Sequence, residues 1–230
     1  CASFDIPVFM DHKKSILLNS FVEYVRSLLG MIQENFTYES VFRYLRSGYC
    51  EFTEDEIDRL ENYCLALGIK GYKKWQQAWA RKTKEADEEE VEKLNHLRVK
   101  FVEKIDPLMF VSRQKKKTVL DITLAVYEFI AGEHLQEKLE QQQKFFAEQG
   151  ELTLAKEYEQ IYRIVMELFD KFSELLGDEP ITLKEYCELL DAGFEEAKVG
   201  VIPPSIDQVV IGDVERTRMK DIRALFFVGA

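Results

Sequence analysis

The sequence predicts a mainly α-helical fold in which a few β-strands come from the two ends of the chain. Apolar residues recur at helical spacing through most of the 230 residues, and capping boxes mark several helix starts. Short apolar runs stand instead at residues 6–10 and 223–228. Such runs are typical of buried strands, which need neighbours to pair with. We therefore expect the end strands to meet in space, and the chain to be a piece of a larger protein.

The first two helices are indicated by their apolar spacing and their caps. Apolar side chains in residues 17–32 share one helical face, and Ser15 is the predicted N-cap. Thr37 precedes a short helix that Gly48 is expected to end, because glycine adopts the left-handed conformation at low cost. These helices lead from the first strand into the helical middle of the chain.

The next segment carries a capping box and two tryptophans. Thr53 and Glu56 are spaced so that each side chain can bind the other's free backbone NH, and Gly68 closes the helix. Trp75 and Trp79 are four residues apart, which places both indoles on one helical face. We interpret them as core or interface anchors in preference to base-stacking groups.

Three longer helices follow. A charged helix at residues 86–105 is predicted to end at Asp106 and Pro107, since the residue before proline avoids the α conformation. Residues 120–149 and 152–176 then form two long helices separated at Gly150. The short connection predicts an antiparallel hairpin.

The last helix and the return to strands are marked by a change of composition. Thr182 and Glu185 form another capping box and start a helix through about Ala197. Prolines and β-branched residues follow, with strand-like runs at residues 208–211 and 223–228. The helical part is therefore predicted to stop near residue 197.

Composition and charge limit the classes of partner. Hydrophobic residues make up 46% of the chain and charged residues 32%, which is typical of a folded domain. No apolar run reaches the roughly 20 residues that cross a bilayer, and no signal peptide is evident, so we expect a cytoplasmic protein. A net charge of −11 opposes broad attraction to nucleic acid. Any contact with phosphate must therefore be local.

No catalytic or metal-binding motif stands in the sequence. The sequence contains no CxxC pair among its cysteines, which are Cys1, Cys50, Cys64 and Cys187. We predict that they are buried, inert thiols. Nucleotide-binding glycine loops, GxSxG and HExxH are all absent, and His12, His96 and His134 are expected at the surface. We expect this chain to have no catalytic residue, metal or cofactor of its own.

Two segments are candidates for nucleic-acid contacts. Basic residues are concentrated between residues 98 and 117, ending in Lys115, Lys116 and Lys117, and could contact phosphates. A solvated loop is the favoured interpretation of this segment. The second candidate is the segment 208–218, in which a strand leads into a loop, because ligands commonly bind at strand ends of parallel sheets. An ion-pair network within that loop is an equal alternative. Its candidate residues are Gln208, Arg216, Thr217 and Arg218.

Four segments together resemble a known family. They are IPVFMD at 6–11, VFRYLRSG at 41–48, EIDRLENYCLALGIKGYKKW at 56–75 and IPPSIDQVVIGDVERTRMKDIRALFFVGA at 202–230. The chain resembles the B subunit of bacterial AddAB-type helicase-nucleases. The resemblance is most specific in the closing segment, and the long helical middle is less distinctive.

The resemblance implies a domain organisation. Residues 1–48 would begin the second motor-like (2A-like) domain of a superfamily 1 helicase-like body. Residues 49–199 would be a helical (2B-like) insertion, and residues 200–230 would return to the truncated 2A-like α/β sheet. This order agrees with the expectation that the end strands meet.

The resemblance also implies a function in repair of DNA double-strand breaks by recombination. The parent complex would be an ATP-dependent DNA helicase and exonuclease in which this subunit pairs with an A subunit. The complex would use ATP, Mg and a 4Fe-4S cluster, all bound outside this chain. Here the Thr-x-His-x-x-Lys-Gly helicase pattern is absent, and Arg216 and Arg218 are the best candidates for contacts to the DNA backbone. The chain itself would be a scaffold for the DNA channel and the partner subunit.

A helical protein-interaction module without a DNA role is the rival prediction. Its binding surface would comprise Trp75, Trp79 and the long hairpin. An exposed apolar face on that hairpin would favour it.

Overall fold

A computed structural model of the protein describes residues 8–10, 14–199, 209–211 and 224–226. The helices are α1 (Ser20–Gln33), α2 (Tyr38–Leu45), α3 (Glu54–Leu67), α4 (Tyr72–Gln76), α5 (Glu88–Ser112), α6 (Val119–Gly132), α7 (Leu135–Glu148), α8 (Leu152–Leu176) and α9 (Leu183–Glu196). The strands are β1 (Val8–Met10), β2 (Lys14–Ser15), β3 (Lys198–Val199) and β4 (Val209–Ile211). The prediction of a mainly helical fold is confirmed.

Two short strand pairs join the beginning and the end of the described chain. Strand β1 pairs with β4 in parallel, with Val8 opposite Val209 and Met10 opposite Ile211. Strand β2 pairs with β3 in antiparallel register. Segments from the two ends therefore meet, but the partner of β1 is the 209–211 strand in place of the expected 223–228 strand. The β2–β3 pair was not predicted from the sequence.

The predicted strand at residues 223–228 is not seen in its described part. Residues 224–226 form no strand, and the side chain of Phe226 is 83% exposed. A strand is stable only when neighbouring strands satisfy its backbone groups and cover its apolar side chains. Among the described residues, no strand pairs with this tripeptide.

Helix α1 begins later than its apolar spacing predicted. The N-cap is Asn19, whose side-chain oxygen accepts a hydrogen bond from the backbone NH of Phe21 at 2.9 Å. The predicted cap, Ser15, is wrong because that residue pairs with Lys198 in the β2–β3 ladder. An asparagine side chain close to the first turn is a strong N-cap.

The other predicted N-caps are confirmed, whereas α2 ends at Leu45 with Arg46 as its C-cap, two residues before the predicted Gly48. Thr37 caps α2, and the reciprocal hydrogen bonds of capping boxes form at Thr53 and at Thr182. Gly68 ends α3 in the left-handed conformation, with φ of 60°. Helix α9 ends at Glu196, as its pattern predicted.

The prediction that Asp106 and Pro107 end a helix is wrong, because Pro107 lies inside α5. Proline in a helix interior removes one hydrogen bond and crowds the carbonyl four residues earlier, at a cost of about 3 kcal/mol. Ile105, Leu108 and Met109 are buried around it. Burial of each such side chain contributes about 1.5 to 3 kcal/mol, which outweighs the proline's cost.

The predicted single helix at 120–149 is two helices. Between α6 and α7, His134 adopts φ of 52°, a left-handed conformation that interrupts an α-helix. Glu133 beside it is only 4% exposed and forms an ion pair with Lys104 of α5. Packing against α5 therefore fixes a break that the apolar periodicity does not indicate.

Helices α7 and α8 form the predicted hairpin, and α8 also packs on α6 and α1. One continuous apolar core extends from Ile16, between β2 and α1, to Val199 in β3. Trp75 and Trp79 lie in this core with ring centroids 5.2 Å apart, although α4 ends before Trp79. Their interpretation as core anchors is confirmed.

No helix in the described ranges has both the length and the apolar character needed to cross a membrane.

Candidate nucleic-acid interface

The first part of the basic 98–117 segment is used inside the fold. Arg98 is buried, and its guanidinium donates hydrogen bonds to the carbonyl of Trp75 at 2.7 Å and to the side chain of Asn95 at 3.0 Å. Its guanidinium carbon also lies 6.0 Å from the ring centroid of Trp79. Burial lowers the pKa of Arg98. Arg98 is therefore a packing residue and unavailable to a phosphate.

Two lysines in the middle of the segment are balanced by carboxylates. Lys100 lies 3.1 Å from Glu51, and Lys104 lies 3.5 Å from Glu51 and pairs with Glu133. The hydrogen bond from Lys100 and the charge of Lys104 lower the pKa of Glu51, whereas desolvation lowers the pKa of Lys104. These charges stabilise contacts between α5 and its neighbours.

The remaining basic residues form one exposed loop between α5 and α6. We define the cationic loop as residues 113–117, which contain Arg113, Lys115, Lys116 and Lys117. The backbone NH of Ile181 donates to the carbonyl of Lys117 at 3.1 Å, which holds the loop against the turn before α9. Lys115 and Lys116 are exposed. Among described carboxylates, none forms an ion pair with either lysine, so both charges face solvent.

A cleft of about 660 Å³ lies beside the cationic loop, between α4 and the end of α5. Its walls include Tyr72, Gln76, Asp106, Phe110, Arg113 and Gln114. The guanidinium carbon of Arg113 is 4.7 Å from the ring centroid of Tyr72, and the Tyr72 hydroxyl donates to Asp106. Phe110 is 70% exposed at the cleft wall. Cations, an exposed aromatic ring and hydrogen-bonding side chains thus share one surface.

The structure addresses only part of the predicted site. Gln208, Arg216, Thr217 and Arg218 lie outside the described residues, so their position relative to the cationic loop stays a prediction. Phe110 was missed because it stands in an apolar run of α5, where periodicity cannot separate an exposed phenylalanine from its buried neighbours.

The described cysteines do not fit ligation of an iron–sulfur cluster. Cluster ligation requires thiolates. Burial raises the pKa of Cys50 to about 11 and the pKa values of Cys64 and Cys187 to about 12, so forming a thiolate costs more free energy at these positions than at an exposed cysteine. In the part of the chain that the structure covers, no group of three or more His, Cys, Asp or Glu side chains is placed to hold a metal ion.

Comparison with known proteins gives one consistent result. The chain is 48% identical over 227 residues to the B subunit of the ATP-dependent helicase/deoxyribonuclease of Lachnoclostridium phytofermentans, covering 97% of this chain and 20% of that protein. It is 39% identical to the B subunit of the same name from Clostridium novyi and 37% identical to that from Acetivibrio thermocellus. These matches cover 98% and 100% of the chain. No protein-family model matches the chain.

The chain spans about a fifth of the length of the curated relatives that it matches. The similarity extends through the helical middle as well as the two ends, where the sequence alone showed its clearest resemblance. Along nearly its whole length, the chain is therefore homologous to one segment of the B subunits of ATP-dependent helicase/deoxyribonucleases.

Proposed function

We propose that this chain is a segment of the B subunit of a cytoplasmic helicase-nuclease that processes DNA double-strand breaks for recombinational repair. The observation that carries the proposal is the 37 to 48% identity to B subunits of that enzyme across almost the whole chain. The complete enzyme would pair this subunit with an A subunit. Within it, this segment is a scaffold for the DNA channel and the partner subunit, and the catalytic groups lie elsewhere.

The proposed domain organisation keeps the boundaries expected from sequence. Residues 1–48 begin a 2A-like domain, residues 49–199 form a 2B-like helical insertion, and residues 200–230 return to the 2A-like sheet. The parallel β1–β4 pair supports this order, because the chain leaves one strand, forms the helical body and comes back to the neighbouring strand. The β2–β3 pair lies just inside it on both sides.

The cofactors of the complete enzyme are assigned to other segments. ATP needs a phosphate-binding loop, and this sequence contains no such motif. A 4Fe-4S cluster needs thiolates, which burial disfavours at Cys50, Cys64 and Cys187. ATP, Mg and the cluster therefore belong to parts of the subunits outside this chain.

The DNA contacts of this segment are assigned to two groups of residues. Lys115, Lys116 and Lys117 would contact phosphates from the cationic loop, since Lys115 and Lys116 are exposed on a chain whose net charge is −11. The second group contains Gln208, Arg216, Thr217 and Arg218, proposed from sequence. Arginine suits phosphate because its planar fork donates two parallel hydrogen bonds.

The test is binding of fluorescent single-stranded and duplex DNA across a salt series. Two double variants, Lys115→Ala/Lys116→Ala and Arg216→Ala/Arg218→Ala, are compared with Lys144→Ala/Lys171→Ala, which removes two exposed lysines from α7 and α8. Each lost phosphate contact should flatten the dependence of log K on log salt by about 0.7 for single strands and about 0.9 for duplex. We expect a flatter slope in the first two variants and an unchanged slope in the control.

A protein-interaction module is the second candidate, and one observation favours it. The α7–α8 hairpin exposes Phe145 and Leu152 near its turn and Leu175 near its other end. The sequence-based assignment of Trp75 and Trp79 to such a surface is wrong, because both are buried. Absence of DNA binding by the unsubstituted protein, even at low salt, would contradict the DNA role and favour this candidate.

A further inference from the structure

We propose that the cleft between α4 and the end of α5 binds an unstacked base of single-stranded DNA, with Phe110 as its stacking platform. This inference rests on the proposed function and deepens it. The base would lie in the cleft, and the cationic loop would bind the phosphates next to it. The ligand is thereby restricted to a strand whose bases are accessible.

The position of Phe110 is the first observation. Its neighbours Leu108 and Met109 are buried in the core, whereas Phe110 is 70% exposed at the cleft wall. A single exposed apolar side chain is ordinary in a soluble protein. An exposed ring that adjoins a cluster of exposed cations is the arrangement of single-strand sites, in which bases stack on aromatic rings and the backbone follows positive charge.

The polar groups of the cleft suit the edge of a base. Gln76 and Gln114 each offer an amide that can donate and accept hydrogen bonds, and Asp106 offers a carboxylate acceptor. These side chains complement the amino, imino and carbonyl groups of a base. The Asp106 carboxylate would repel a phosphate, so the phosphates are expected on the side of the cationic loop.

Arg113 connects the two halves of the site. It lines the cleft and is also the first residue of the cationic loop. Its stacking over Tyr72 fixes the guanidinium at the boundary between them. Since a guanidinium carries five NH donors, Arg113 can bind the phosphate that joins a stacked base to its neighbour.

Duplex DNA cannot use this cleft in the same way. Its bases are stacked and paired, so only its phosphates would reach the surface, and those contact the lysines. A loss of the Phe110 ring should therefore weaken single-strand binding alone. The lysines should matter for both forms of DNA.

The experiment measures binding of a fluorescein-labelled oligothymidylate, about 15 nucleotides long to span one site of this kind, and of a duplex of the same length. The variants are Phe110→Ala, Phe110→Trp and the matched control Phe145→Ala, whose ring is 56% exposed on α7. We expect Phe110→Ala to weaken single-strand binding about five-fold or more, with an unchanged salt slope and unchanged duplex binding. Phe110→Trp should keep single-strand binding, and Phe145→Ala should match the unsubstituted protein.

Four outcomes overturn the inference. If Phe110→Ala binds normally while Lys115→Ala/Lys116→Ala loses affinity, the DNA role stands and the stacking site falls. If Phe110→Ala weakens both DNA forms, or if Phe145→Ala weakens binding equally, base stacking in this cleft is wrong. If neither DNA form binds at low salt, the inference and the DNA role fall together. Far-ultraviolet circular dichroism of each variant verifies that the helices are retained.

Discussion

At the scale of single residues, Lys104 and Glu133 form an ion pair that is largely buried. The Lys104 side chain is 20% exposed and the Glu133 side chain 3% exposed. The carboxylate lies at the break between α6 and α7, where it forms an ion pair with a lysine on α5. An unpaired charge at such a site is strongly unfavourable, although the pair itself adds little net stability.

We expect Lys104→Met to lower the free energy of unfolding by about 3 to 5 kcal/mol, because Glu133 then stays buried without its cation. The double variant Lys104→Met/Glu133→Leu should lose much less, since it leaves no uncompensated charge. Urea unfolding monitored by circular dichroism measures both. Additive losses in the double variant would show that the two side chains do not act as a pair.

The basic residues around the cationic loop differ in whether they have a partner inside the fold. Seven basic residues stand between positions 98 and 117 of the sequence, and the structure separates them by their partners. Arg98, Lys100 and Lys104 have structural partners, whereas Lys115 and Lys116 face solvent. Sequence indicates that charge is concentrated here, but only packing shows which charges remain available.

At the scale of elements, α5 is unusual because it accommodates Pro107. The proline side chain is exposed, so it contributes little packing. Its cost is the missing backbone hydrogen bond and the crowding of the preceding turn.

We expect Pro107→Ala to raise the free energy of unfolding by about 1 to 2 kcal/mol, the helical gain being partly offset by a more flexible unfolded chain. The urea midpoint should rise with no change in the m-value. Glu103→Ala, an exposed substitution one turn earlier, is the control and should change stability by less than about 0.5 kcal/mol. A lower midpoint for Pro107→Ala would show that the proline supports the shape of α5.

Helix starts were more predictable than helix interruptions. The boxes at Thr53 and Thr182 depend on side chains within four residues of each other, so local sequence contains the whole signal. The continuation of α5 through Pro107 depends on the packing of α5. The break at His134 lies beside the contact between Glu133 and Lys104. Those contacts join residues far apart in sequence, which periodicity cannot indicate.

At the scale of the whole molecule, one buried core holds many groups that ionise in alkali. Burial raises the pKa of Cys64 and Cys187 to about 12, and desolvation keeps the pKa values of Tyr24, Tyr44 and Tyr186 above the usual range for tyrosine. The unfolded chain ionises near pH 8.5 for cysteine and about 10 for tyrosine. When the pH lies between the unfolded and the folded pKa of such a group, the unfolded state has released a proton that the folded state retains.

We therefore expect stability to be complete near neutral pH and to fall as the pH rises above about 8.5, through the raised pKa values of the folded state. Helix content and phenolate absorbance, followed together in an alkaline titration, should change in one concerted step. Phenolate absorbance that increases fully while the helices persist would show that the buried tyrosines ionise within the folded protein.

The candidate site was less predictable than the fold. Lys115, Lys116 and Lys117 could be selected from charge alone, and the structure places them in one loop. The adjoining cleft requires α4 and α5 to lie side by side, and Phe110 to project from a helix whose neighbouring residues are buried. Neither fact has a local signature in the sequence.

The β1–β4 pairing has a consequence for synthesis of the protein. Val8 pairs with Val209, so the ribosome makes the first strand about 200 residues before its partner exists. At roughly 5 to 20 residues per second, that delay is about 10 to 40 seconds. Single helices form within about a microsecond, and domains generally fold as units while the chain emerges. The helical body can therefore be complete before β1 has a partner, and the strand pair can close only after residues 209–211 have been made.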